Sequence, residues 1–293
     1  MEQYLWLVPL GFLVGAYGTL IGAGGGFVLM PILLLLYPNE PPDLLAAISL
    51  AVVFFNAGSG SVAYGRMRRI DYKSGLALAC ATIPGAVLGA ITTGYVPRRT
   101  FDVLLGGLMI LVSAFLLFRP MRGEEEPRIV AALRAKRDGA GEPEGVRSLN
   151  SVGLLTPSGS RAPAIDTDRL GSYNLGLGLA LSFVVGYLSS LLGIGGGIIH
   201  VPALVQLFGF PVHVATATSH FILAIMALAG TAVHVSTGTF VHGTRRMAML
   251  AVGVVVGAQL GAYFSSRLHG RWIIRGLAVA LGLVGIRVLL LAL

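Results

Sequence analysis

One block of this sequence occurs twice, and that repetition limits the folds open to the chain more than any other feature. Gly15, Gly22, Gly24, Gly25, Gly26 and Pro31 recur 171 positions later as Gly186, Gly193, Gly195, Gly196, Gly197 and Pro202. The correspondence continues almost without gaps: Ala47 and Ser49 return as Ala217 and Ser219, and Gly60 returns as Gly230. Gly85-Ala86 with Gly89-Ala90 returns as Gly257-Ala258 with Gly261-Ala262. Generic apolar composition does not reproduce Gly-x-Gly-Gly-Gly followed by proline at one spacing. The chain therefore reads as two copies of one unit.

The surroundings of the repeated block place it in lipid. Only 12% of the 293 residues are charged and 55% are hydrophobic, and the mean hydropathy is +0.81, whereas a soluble domain carries about 25% charged residues. Apolar stretches run over 4–36, 44–64, 74–94, 101–118, 173–208, 214–235, 245–266 and 271–292. Most are near or above the roughly 20 residues that cross a hydrocarbon core as a helix. Lipid offers backbone groups no partners, so helices are the expected spanning element. The expectation is an all-α polytopic membrane protein of about eight segments in two homologous four-segment repeats. Residues 1–118 form the first repeat, 119–170 a polar central loop and 171–293 the second repeat. The loop holds Glu124, Glu125, Glu126, Arg134, Lys136 and Arg137, and its 127–137 stretch is a candidate short surface helix.

The formal charge of +8 does not point to nucleic acid, because the basic residues sit mainly in short links between apolar segments and in the central loop. There they act as topology signals. The single cysteine, Cys80, excludes an intramolecular disulfide. The N-terminus begins Met1-Glu2-Gln3 without the basic region of a signal peptide.

The glycine blocks interrupt their helices. A continuous helix over 5–36 would be about 48 Å long, too long for one straight span and too short for two. The chain either kinks there within a span or turns back as a re-entrant hairpin. Full crossings make the repeats parallel, and hairpins make them inverted. In both cases the basic turn Arg66, Arg68, Arg69, Lys73 shares the more basic side with the central loop, which assigns both to the cytoplasm. In the first case Arg245 and Arg246 join that side. In the second they exchange places with Arg267, Arg271 and Arg275. The charge pattern leaves the choice open.

The chemistry of the segments is set by what they lack. All 13 acidic residues lie at or before Asp168, and those of the first half, Glu2, Glu40, Asp43, Asp71 and Asp102, sit at segment ends or in loops. Cation and proton pathways generally use intramembrane carboxylates or histidines, so neither a carboxylate-based cation site nor an intramembrane aspartyl protease is expected. The interior offers backbone instead. Gly22, Gly24, Gly25 and Gly26, and again Gly193, Gly195, Gly196 and Gly197, permit unusual dihedrals and precede runs that restart a helix. A restarting helix presents free N–H groups and the positive end of its dipole, an arrangement that suits an anion. The competing role for these glycines is close helix packing.

Ser49 and Asn56, seven residues apart on one helix face, and Ser219, the repeat mate of Ser49, are candidates to complete such a site. Gln259 is a weaker candidate. All six histidines, His200, His213, His220, His234, His242 and His269, fall in the second half. His220, beside Ser219, is a candidate anion contact and a candidate for coupling to protons. His220 and His234 are about 21 Å apart along a helix and cannot share one ion. No metal site or cofactor is expected. Ala57-Gly58-Ser59-Gly60 approaches the Gly-x-Ser-Gly of intramembrane serine proteases, but the first glycine is missing and the copy Ala227-Leu228-Ala229-Gly230 has no serine.

These residues resemble the sulfite exporter TauE/SafE family of membrane transporters. The resemblance lies in Gly15 to Pro31 and Gly186 to Pro202. It extends to Ala47-x-Ser49 with Gly60-x-x-x-Tyr64, to Ala217-x-Ser219 with Gly230-x-x-x-His234, and to Arg69-Ile70-Asp71-Tyr72-Lys73. It covers both helical halves and leaves out the central loop. It implies transport of sulfite, organosulfonates or related small sulfur or carboxylate anions, driven by an ion gradient. Two features depart from the pattern, the long loop and Ser189 where the first half has Gly18.

The reading that results is a multi-pass protein of the cytoplasmic membrane, not an enzyme. It is a secondary transporter that holds a small inorganic or organic anion between the two breaks. Lipid, protons and a second copy of the chain are the candidate partners, and nucleic acid is not one. The rival readings are an anion channel and a membrane scaffold acting through the basic central loop.

Overall fold

A computed structural model describes residues 4–118, 175–265 and 270–292. Residues 1–117 and 168–293 pack as one unit, and residues 118–167 form a second. Apart from Phe118 at a helix end, the second unit lies outside the described residues. So do the expected surface helix at 127–137 and His269.

Every regular element among the described residues is helical. In chain order they are α1 (Leu7–Ile21), α2 (Gly26–Leu36), α3 (Pro42–Arg66), α4 (Tyr72–Thr93) and α5 (Arg98–Phe118), then α6 (Leu175–Leu192), α7 (Gly197–Gln206), α8 (Val212–Ser236), α9 (Thr244–Phe264) and α10 (Gly270–Ala292). A short 3-10 turn, Thr239–His242, precedes α9. Five of these helices, α3, α4, α5, α8 and α9, are long and apolar enough to cross a membrane.

Local sequence explains the boundaries. α3 starts on Pro41-Pro42, where a missing N–H costs nothing in the first turn. Asp71 caps α4 by accepting from the N–H groups of Lys73 and Ser74. Pro31 in α2 and Pro202 in α7 each lie inside a helix. A proline there removes one rung of the ladder, which frees the carbonyl four residues back, at Phe27 and at Ile198.

The helices exchange partners between the two halves of the sequence. α1 packs on α9, α4 packs on α6, and α3 lies against α8 at the centre. Lipid supplies no hydrophobic drive for helices to associate, so close backbone approach through small residues has to serve. The glycines of the repeated Gly-Ala pairs provide it. A Cβ added at Gly85 or Gly89 would strike the backbone of Phe183 or Tyr187 in α6, and one added at Gly257 or Gly261 would strike Phe12 or Ala16 in α1.

Two polar contacts define one end of the bundle. The Arg246 guanidinium donates to Glu40 Oε1 at 2.8 Å and lies over the rings of Tyr37, 4.2 Å from its centroid, and Tyr4. Arg98 donates to the Glu40 carbonyl at 2.8 Å and pairs with Asp102. The start of α1, the end of α2 and the first turns of α5 and α9 therefore share that end. In the other half, Gly178 near the start of α6 lies against the Phe208 ring just beyond α7.

Candidate functional site

α1 stops at Ile21 and α2 starts at Gly26. The link between them turns through Gly22, Gly24 and Gly25 at φ values of 86°, 78° and 77°, a left-handed conformation that residues with a Cβ seldom adopt. α6 stops at Leu192 and α7 starts at Gly197, with Gly193 and Gly195 at 65° and 70°. The two links touch. A Cβ on Gly26 would stand 2.6 Å from the Ile194 carbonyl oxygen, and one on Gly197 would collide with the Gly22 oxygen and stand 2.6 Å from Ala23 Cα. Gly26 and Gly197 thus serve close packing alone, whereas Gly22, Gly25 and Gly193 combine a left-handed turn with close neighbours.

Two serines tie the breaks crosswise. Ser49 of α3 donates its hydroxyl to the Gly193 carbonyl in the second break. Ser219 of α8 donates to the Gly22 carbonyl in the first break at 3.2 Å. Each serine thereby commits its single proton to the first glycine of the break in the other half.

Asn56 shares a helix with Ser49 but serves the other break. Its Oδ1 accepts from Thr19 Oγ1 at 3.0 Å, while its Nδ2 has no hydrogen-bond partner and faces Gly25. The His220 Nε2 lies 3.3 Å from the same Thr19 oxygen, the His220 ring meets Tyr64 edge to face at 5.5 Å, and the Tyr64 hydroxyl donates to the Thr19 carbonyl at 2.8 Å. Gly60 makes this possible, because a Cβ there would stand 2.6 Å from His220 Cδ2. Thr19, Asn56, Ser49, Ser219 and His220 are all completely buried.

The second break lacks this network. Ser190 stands at the repeat position of Thr19, but the mates of Asn56 and His220 are Met226 and Leu50, which cannot bond to it. Ser190 Oγ, Ser189 Oγ and both ring nitrogens of His200 are buried with no hydrogen-bond partner. Sequence reasoning did not single out Thr19, Ser190 or His200 as site residues. The signal for the first two was available, since two hydroxyls recur at the 171-residue spacing. His200 has no polar mate, because Leu29 occupies that position.

The other candidates lie elsewhere. Gln259 donates to the Ser59 carbonyl and hydroxyl at 2.8 Å on an exposed face, and Ser59 itself donates to the Val255 carbonyl, so Ser59 has no histidine beside it of the kind a serine nucleophile needs. No group of three or more metal-ligating side chains occurs among the described residues. A wholly apolar cavity of about 10 Å³ lies between Phe27, Ile194 and Ile198 at the breaks and Leu108, Met109 and Val112 of α5. It has room for about one water.

Residues 7–288 match the family described as sulfite exporter TauE/SafE. The chain belongs to the TauE/SafE family. It is 32% identical over 289 residues to the probable membrane transporter protein YunE of Bacillus subtilis, across 97% of this chain and 96% of that one. It is 22% identical over 304 residues to the probable membrane transporter protein MJ0441 of Methanocaldococcus jannaschii, again nearly end to end. No solved structure matches the chain significantly. With this family and these relatives, and with several helices long enough to span a bilayer, this TauE/SafE protein is a multi-pass membrane transporter.

Proposed function

We propose that the protein is a secondary transporter of small anions, namely sulfite, organosulfonates such as sulfoacetate, or related sulfur-containing anions, working by alternating access. The observation that carries the reading is the meeting of two helix starts. No partner is found for the N–H groups of Gly26 and Phe27 at the head of α2 or of Gly197 and Ile198 at the head of α7. The Nδ2 donor of Asn56 is also free beside them. The described carboxylates Glu40, Asp43, Asp71 and Asp102 sit at helix ends away from the breaks. Free N–H groups and aligned dipoles without a competing anion favour a negatively charged ligand.

The architecture we infer has two inverted repeats, residues 1–118 and 171–293, joined by a cytoplasmic loop at 119–170. Each repeat contributes one re-entrant hairpin, α1–α2 or α6–α7, and three crossings, α3 to α5 or α8 to α10. What supports hairpins over full crossings is Glu40, which touches both Arg98 and Arg246. Eight full crossings would put those arginines on opposite sides. Substrate sites of inverted-repeat carriers lie where broken helices of the two repeats meet near the midplane, and one repeat rocks against the other. The serine crosslinks Ser49 to Gly193 and Ser219 to Gly22 would couple the hairpins to the central helices during that motion.

Counterflow in proteoliposomes tests the carrier reading. Preloading with unlabelled sulfite is expected to accelerate uptake of labelled sulfite, and uptake is expected to saturate. Deleting residues 124–165 is expected to retain most of the flux. Uptake that does not saturate and does not respond to preloading would indicate a channel, and loss of all activity on deletion would favour the scaffold.

A further inference from the structure

The two breaks are not equivalent, and the difference is concentrated at one pair of repeat positions. Gly18 in α1 packs directly on the Gly25 backbone, and a Cβ at Gly18 would collide with Gly25. Its mate is Ser189, whose side chain occupies the corresponding space beside Gly196. The backbone differs accordingly: Gly25 has a φ of 77°, whereas Gly196 has a φ of −71°. In the first break the Gly18 carbonyl accepts from both Ala23 N and Gly24 N. In the second, Ser189 O accepts from Ile194 N, and the Gly195 N–H has no partner.

Three sets of unused groups converge there. A Cβ placed on Gly196 would lie 2.8 Å from Ser189 Oγ and 3.2 Å from His200 Nδ1, so hydroxyl and imidazole both face this glycine. Neither makes a well-formed hydrogen bond to the protein, the imidazole lying against the Gly196 backbone, and both side chains are almost completely buried. The N–H groups of Gly195 and Gly196 point from the same bend without acceptors. A buried polar group without a partner is costly, and several at one bend mark a place completed by something other than the protein. The first break also leaves Asn56 Nδ2 and His220 Nδ1 unbonded, but its hydroxyl, Thr19 Oγ1, is held between Asn56 Oδ1 and His220 Nε2, whereas Ser189 and Ser190 of the second break have no such neighbour.

We propose that Ser189, His200 and the free N–H groups of Gly195 and Gly196 form the subsite that grips the oxygens of a sulfite or sulfonate group, while the first break, tied through Thr19 to Asn56, His220 and Tyr64, is the stiffer half of the cradle. This assignment rests on the anion-carrier reading above. The donors are a hydroxyl, an imidazole N–H and backbone amides, a set that suits an oxyanion with several acceptor oxygens. The cluster is closed in this conformation, so the ligand enters as the α6–α7 hairpin hinges at Gly195–Gly196.

Initial uptake rates of labelled sulfite and sulfoacetate into proteoliposomes test it. Ser189→Gly, which copies the residue of the first half, and His200→Gln are each expected to raise KM about tenfold or more, the loss of a hydrogen bond to a charged group. Ser59→Ala, far from the breaks, is expected to keep the wild-type KM. Folded variants with wild-type KM would overturn the subsite and leave the carrier reading standing. Wild-type protein that moves no small anion would remove the carrier reading itself. A second measurement does not depend on flux: Ser189→Cys in a Cys80→Ser background is expected to react more slowly with a water-soluble thiol reagent when sulfoacetate is present. Equal rates with and without sulfoacetate would also overturn the subsite.

Discussion

Gly197→Ala is expected to cut transport at least about tenfold while leaving a protein that folds and inserts. The backbone at Gly197 is helical, so alanine brings no dihedral strain. Its Cβ would instead meet the Gly22 carbonyl oxygen and the Ala23 backbone. Neither is the end of a flexible side chain, so the two breaks must separate. Overpacking of this kind costs roughly 1–3 kcal/mol, which a thermal unfolding curve in detergent would register as a modest loss. A displacement of about 1 Å in a positioned site is enough for a large loss of rate. Gly26→Ala is expected to act in the same way through Ile194 and Val53. Wild-type uptake by both variants would mean that contact between the breaks has no part in transport.

Gly257→Val is expected to do more damage and of another kind. Gly257 faces the Phe12 carbonyl and Ala16 N across the α1–α9 contact, and both are helix backbone that cannot turn aside for the added atoms. The equivalent contact on the other side is Gly85 against Phe183 and Tyr187. Here the expected result is loss of the folded state, with destabilisation of about 3 kcal/mol. Size-exclusion chromatography in detergent checks it: a main peak reduced to a small fraction is expected, and a wild-type profile would show that these helices do not rely on close approach. The two glycine classes thus separate experimentally, one failing in transport and the other in assembly.

Much of this was legible in the sequence because glycine runs are rare signals in apolar segments. Gly22 to Gly26 and Gly193 to Gly197 marked where the helices stop, and the structure stops them there. The end positions of Glu40, Asp43, Asp71 and Asp102 were equally plain. Partner exchange was not legible. The small-residue stripes at Gly11 and Gly15, or at Gly253 and Gly257, announce a close neighbour without naming it, since any apolar helix presents the same surface. Nor did the charge pattern choose between hairpins and full crossings, and the contact of Glu40 with both Arg98 and Arg246 leaves no trace in the sequence.

The site was partly legible for a similar reason. Ser49 and Asn56 do share a face, but seven residues are about 10 Å of helix, enough for one to reach Gly193 and the other to reach Thr19 and Gly25. Their separation over two breaks depends on how the hairpins insert. Thr19 and His200 are single polar residues in apolar runs, where the ordinary expectation is a side chain bonded to its own helix. Only burial without a partner sets His200 apart.

The central claim is that a small anion crosses the membrane through this protein, and the most direct measurement is uptake of labelled sulfite, sulfoacetate, taurine and thiosulfate by proteoliposomes under a pH gradient of either sign. Saturable uptake of at least one of these anions, absent from protein-free liposomes and from Gly197→Ala protein, is the predicted result. Background-level uptake and binding for every small anion, with correctly folded wild-type protein, would contradict it.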